Sequence, residues 1–177
     1  IATNGETAKQ ARTLKDLIAL SKKDGKGLFL AGLGPVSVFN LSYAILNQQL
    51  GMQYSAVNYS NVNDANLSLA RNDTQFIVNN PASIRPHFAT GAIVPLAAIS
   101  TQRYAGLPDV PTLAEAVGYT GYLPLLWTGF FVPKGTPAAV VDRINRDVQA
   151  VFAEEEFRKQ VEAKLTATVA ASSPETF

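Results

Sequence analysis

The stretch Gly27–Val38, GLFLAGLGPVSV, decides the fold. Leu28 to Ala31 is a short continuous apolar run, as a strand buried on both faces requires. Gly32, Gly34 and Pro35 then turn the chain, and Val36 to Leu50 carries a broad helical stripe closed by Gly51. This predicts a strand–turn–helix unit. Glycines let backbone approach a ligand, Pro35 presets the first helical residue, and free N–H groups at a helix start carry roughly half a positive charge. A carboxylate fits that offer. A tight strand-to-helix turn with no ligand accounts for the same glycines.

Outward from this unit the same alternation repeats. Leu14, Leu17, Ile18 and Leu20 recur at helical spacing, and Thr13 with Asp16 fits the start signal of a capping box. Downstream, Tyr54–Tyr59 reads as a strand, Asp64–Ala70 as a short helix, Gln75–Val78 as a strand, Ala82–Ala89 as a proline-interrupted helix and Ile93–Ile99 as a strand. Strands alternating with helices predict a doubly wound α/β fold, with a parallel sheet covered on both faces. Beyond Ile99 the rhythm changes. Thr112 and Glu115 form a second capping-box pair ahead of a small helix stopped by Gly118. Trp127–Val132 reads as a further strand. Thr136 is placed as N-cap with Pro137 at the first helical position, and two covering helices follow. Ser173-Pro174-Glu175 reads as another helix start with only Thr176 and Phe177 after it, so a longer parent chain is expected.

Composition narrows the function. The 177 residues are 47% hydrophobic, enough to bury a core, and 15 Lys+Arg stand against 14 Asp+Glu, far from the positive field that nucleic-acid binding uses. No apolar run reaches the ~18 residues needed to span a bilayer. With no cysteine and one histidine, His87, zinc, iron–sulfur and thiol chemistry lack their usual ligands.

The glycine turn matches a dinucleotide fingerprint only in its first two glycines. Its third position is Ser37, and no acid lies about 20 residues on to hold a ribose. It is neither a P-loop nor a G-x-S-x-G elbow. Between Gly27 and Asn63 there is no Lys, Arg, Asp, Glu or His, yet Ser37, Asn40, Tyr59, Ser60, Asn61 and Asn63 supply neutral donors. Burial explains such a stretch, and so does a site that holds an anion by dipoles alone. Asn79-Asn80-Pro81 ends a predicted strand, where open α/β sheets place ligands, and equally suits a turn before proline. Asp64, Asp73, Asp109 and Glu115 read as caps and solvated surface, and no catalytic residue and no metal set is identified.

TLKDLIAL, GLGPVS, VNYSNVNDANLSLARND, NNPASIRPHFATGAIVPLAAIS, RYAGLPDVPTLAEA and WTGFFVPKGTPAAVVDRIN, in this order, resemble the Bug receptors. These are extracytoplasmic solute-binding proteins of tripartite tricarboxylate transporters. LPDVPTLAEA and the aromatic–glycine run into PKGTP are the specific motifs, and the likeness covers essentially the whole chain. It implies a non-enzymatic periplasmic protein of the type II binding-protein class, without cofactor, whose two Rossmann-like α/β lobes close on a small organic acid. A di- or tricarboxylate or an aromatic acid is implied as ligand, and membrane transporter subunits as partners, the receptor itself not being membrane-inserted.

By the same resemblance, residues 1–126 are the second lobe, and 127–177 are a return crossover strand and a truncated C-terminal helical region. Ligand contacts carry over to Gly32, Leu33, Gly34, Val36 and Ser37, with Tyr59 and Asn79 bordering the cleft. Pro35 replaces a usual small residue and removes one amide donor. Ser60-Asn61-Val62 replaces a common Lys-Gly-Gly, and an amide stands near Asn79 where an acid is frequent. Rival readings of the same turn are a nucleotide- or phosphate-binding α/β enzyme domain and the effector-binding domain of a transcription regulator.

Overall fold

The computed structural model describes residues 1–34, 37, 39–165, 168–174 and 176. Val36 of the turn, and Glu175 and Phe177 of the expected C-terminal helix start, lie outside the described residues. The chain divides into two compact units, one of Ile1–Arg103 with Leu107–Leu126, the other of Tyr104–Gly106 with Trp127–Phe177.

The first unit is built on a five-stranded sheet: β1 (Ala2–Asn4), β2 (Leu28–Gly32), β3 (Tyr54–Asn58), β4 (Phe76–Ile77) and β5 (Ile93–Pro95), in the order β3-β2-β4-β1-β5. The chain leaves β2, crosses to β3 on one side, and returns to β4 on the other. β2 pairs in parallel with β3 from Leu28↔Tyr54 to Gly32↔Asn58, and with β4 at Leu30↔Phe76. A wholly parallel sheet was expected, but β1 runs antiparallel to both β4 and β5, so the sheet is mixed. The sequence signal misses β1 because three residues show no periodicity, and its place is set by partners more than 70 residues away.

Helices cover both faces. One face holds Leu14 and Leu17 of α2 (Leu14–Lys22), Tyr43 of α3 (Asn40–Ala44) and Leu113 of α6 (Leu113–Val117), packed with Leu30 and Phe76. The other holds Ala65 and Leu69 of α4 (Val62–Ala70) and Ile84 of α5 (Pro81–Ile84), packed with Ala31 and Ile77. The alternation of Leu30 and Ala31 between the two cores is the period-two geometry of a strand buried on both sides. A short α1 (Gly5–Ala8) is capped by Asn4, whose side chain accepts from the Thr7 amide at 2.6 Å. Both capping boxes form: Thr13 with Asp16, and Thr112 with Glu115.

The second unit carries α7 (Ala138–Ala153) and α8 (Glu155–Leu165). Expected as covering helices, neither holds a buried residue. Their contact is made by Phe152 and Phe157, whose ring centres lie 5.9 Å apart. Residues 127–132 form no strand, because no described strand pairs with them, and Trp127, Phe130 and Phe131 are exposed. Pro137, not Thr136, occupies the N-cap position of α7. The Thr136 hydroxyl instead donates back to the Pro133 carbonyl at 2.8 Å, closing the preceding turn.

Candidate functional site

In open α/β sheets a ligand crevice forms at the carboxyl ends of the strands, where successive crossovers leave in opposite directions. Here that point lies at the end of β2, since α3 packs on one face and α4 on the other. The sequence-predicted residues fall at this edge: Gly32 ends β2, Tyr59 follows β3, and Asn79 follows β4 by two residues.

Gly32 is held close to its neighbour, since a Cβ there would meet Asn58 Oδ1 at 2.5 Å. Gly34 has φ +85, in the left-handed region that favours glycine, with open space around it. The amides of Leu33 and Gly34 donate to no described residue. The Leu33 side chain turns to the core on the α4 face, beside Tyr59.

The helix begins later than its sequence stripe predicts. α3 starts at Asn40 rather than Val36, then passes into a π-helical turn over Ile45–Gln49. Ser37 is the reason. Its hydroxyl accepts from the Phe39 amide at 3.2 Å, and its carbonyl accepts from the Asn40 amide at 3.0 Å, a local side-chain turn that competes with helix. The Ser37 amide is itself directed at the Gly34 carbonyl, 3.4 Å away. The amides of Ser37, Phe39 and Asn40 are therefore used within the turn, and the amides without a partner among the described residues sit earlier, at Leu33 and Gly34.

Tyr59 and Asn79 are both engaged. The Tyr59 hydroxyl donates to Ser68 Oγ at 2.6 Å, and Ser68 Oγ lies 3.0 Å from Thr74 Oγ1. Asn79 donates to Asn66 Oδ1 at 2.8 Å while its own oxygen accepts from the Asn80 amide at 2.8 Å. Asn80 in turn caps α5. These contacts shape the rim from behind.

Beside the turn, between α3 and the strands, is an open cavity of ≈ 370 Å³. Gly34, Asn40 and Asn58 lie on its lining, together with Tyr43, Asn47 and Tyr54. Among the described residues no Lys, Arg, His, Asp or Glu lines it. Burial, and then the nearby Tyr54 hydroxyl, hold the Tyr43 phenol well above the usual tyrosine range, so it stays a neutral donor. Sequence reading found the charge-free stretch but not Tyr43, because that residue sits on the apolar stripe of its helix and reads as core. Among the described residues no three Asp, Glu or His side chains lie together as metal ligands would.

The sequence pattern described as the tripartite tricarboxylate transporter family receptor matches residues 5–176. A UPF0065 protein from the tcbD-tcbE intergenic region of Pseudomonas sp. strain P51 is 29% identical over 142 residues, covering 80% of this chain and 42% of that protein. The chain thus spans under half the length of that curated relative. Among solved structures, an R. palustris protein with adipate superposes with TM-score 0.84 at 24% identity, over 99% of this chain and 57% of that one. MatC from Rhodopseudomonas palustris with bound malate gives TM-score 0.72 at 23% identity, over 99% and 57%. At these identities the likeness is one of fold.

Proposed function

Since the chain belongs to the receptor family of tripartite tricarboxylate transporters, we propose that it is part of a periplasmic solute-binding protein that delivers a small organic acid to its membrane transporter subunits. Residues 1–126 form one lobe of the flytrap in this reading, and 127–177 are a return crossover segment, which pairs with no described strand, and a helical region.

The observation that carries the carboxylate is the turn at the end of β2. Leu33 and Gly34 present amides with no partner among the described residues, at the point where the sheet's crossovers diverge. A carboxylate oxygen placed there receives two dipoles and meets no competing acid. Gly32 keeps the strand end close to Asn58, and Ser37 fixes the turn from within, so both act on the ligand through the turn's shape. Tyr59 and Asn79 buttress the same edge. A site of this kind holds an anion without a cation, so release breaks no buried ion pair. Adipate and malate in two proteins of like fold agree with an acid as cargo.

The test is a matched pair at Gly34 in the full-length protein, read by calorimetry against a panel of organic acids. Asn and Asp tolerate the left-handed conformation comparably, and only Asp adds charge. Gly34→Asn is expected to keep measurable binding and Gly34→Asp to abolish it, with both proteins folded. Equal affinities for the two variants overturn the dipole reading.

A further inference from the structure

Gly32 is glycine for a reason that its own backbone does not supply, since its φ lies outside the left-handed region that Gly34 occupies. What excludes a side chain there is Asn58. The two residues are in register on β2 and β3, and just beyond them the Tyr59 amide donates to the Gly32 carbonyl at 2.9 Å. Asn58 Oδ1 fills the seat of a Gly32 side chain, lying 2.5 Å from where the Cβ would stand. Three covalent bonds separate that seat from the Leu33 nitrogen, so Asn58 Oδ1 lies within about 6 Å of the first unpartnered amide of the turn. Tyr54, Ala56 and Asn58, alternate residues on one face of β3, all line the cavity that Gly34 also borders. Asn58 is exposed there, and its side chain has no hydrogen-bond partner among the described residues. Covering Gly32 needs only bulk; an amide in that seat adds an unused donor beside the turn.

We propose that Asn58 is a further ligand-binding residue, its Nδ2 donating to a carboxylate held at the Leu33 and Gly34 amides, and that Gly32 provides the space which admits it. The inference rests on the carboxylate reading of the Gly34 turn and adds a side chain to it. A carboxylate accepts at about four lone-pair sites, so two backbone donors leave it under-satisfied. Asn58 supplies a further donor without a cation, in keeping with a cavity whose described lining carries no charge. An acid in the same seat would set like charge against the ligand, so the amide at this position favours an anion.

The test uses the full-length protein, with succinate, malate, adipate and benzoate as probes in calorimetry. Asn58→Ala is expected to weaken the tightest of them by about ten- to hundredfold, the loss of one hydrogen bond to a charged group. Asn58→Asp keeps the shape, exchanges the donor for a charged oxygen, and is expected to weaken it further. Gly32→Ala is expected to weaken it as well by displacing the amide, yet to cost little more affinity once Asn58→Ala is present. Melting temperatures separate packing from binding: Gly32→Ala is expected to lower the wild-type melting temperature and to lower it less in the Asn58→Ala background, where the clash is gone. Wild-type affinity in both Asn58 variants, or additive affinity losses from Gly32→Ala and Asn58→Ala, overturns the inference while leaving the receptor reading in place. If Asn58→Asp does not fold, Asn58→Ala alone decides. Failure of all four acids to bind the wild type overturns the carboxylate reading itself, and this inference with it.

Discussion

Tyr54 donates its hydroxyl to the backbone carbonyl of Tyr43 at 3.1 Å, fastening the first residue of β3 to α3 just before that helix widens into its π-turn. The Tyr54 ring meets Tyr43 edge-on at 6.5 Å and Phe76 at 5.7 Å. The two tyrosines therefore differ, one hydroxyl bonded to backbone and the other without a partner among the described residues.

Tyr54→Phe is expected to lower stability by about 1 kcal/mol, the net worth of one hydrogen bond, because the ring contacts survive the change. Tyr43→Phe is expected to lower it not at all. Urea unfolding of the two variants side by side measures the contrast.

Gly25 and Gly27 bracket the loop into β2, with φ +66 and +72. A Cβ on Gly25 meets nothing within 4 Å, whereas one on Gly27 meets the Gln53 backbone at 2.9 Å. Gly25→Ala is expected to lose about 1 kcal/mol from the left-handed backbone alone. Gly27→Ala is expected to lose distinctly more, since backbone of the β3 approach must move. Thermal denaturation of both variants tests the order.

Ser68 stands between two hydroxyls, accepting from Tyr59 at 2.6 Å and lying 3.0 Å from Thr74. Ser68→Ala leaves both without that neighbour in a buried setting and is expected to destabilise by about 1–3 kcal/mol. Ser68→Ala combined with Tyr59→Phe is expected to lose less than the sum of the single changes. A double-mutant cycle in urea reads that coupling.

Glu115 closes its capping box and pairs with Arg103 at 2.9 Å. The hydrogen bond from Arg103, and then the Thr112 amide, hold its carboxyl below the usual range. A depressed carboxylate contributes stability that is present above its unfolded pKa of about 4.3 and is lost as pH falls through the lower folded value. Wild type is therefore expected to lose more stability than Glu115→Gln over that acid window. Denaturation midpoints measured across it check the sign.

Much of this architecture is legible in the chain, for local reasons. Thr13 with Asp16 and Thr112 with Glu115 announce helix starts because both partners of each box lie within one turn. Gly118, at φ +71, marks a helix end because only glycine takes that conformation without strain. The turn at Gly34 is visible for the same reason. The start of α3 was misplaced because hydrophobic spacing does not reveal that Ser37 bonds to its own following backbone. The direction of β1 is invisible because pairing with Ile77 and Pro95 is fixed by distant partners. Tyr43 is hidden as a cavity-lining residue because a phenol on an apolar stripe looks like core.

The antiparallel β1 is inserted between β4 and β5, and β5 has no ladder to any other described strand. Residues Ala2, Thr3 and Asn4 thus work as a rivet joining pieces of chain synthesised long after them. Assembly must hold β1 in reserve until both later strands arrive, a non-local closure of the kind that slows folding. A fault at this seam would set the β5 flank adrift while leaving the β2–β3 ribbon, and the Gly34 turn at its tip, largely undisturbed.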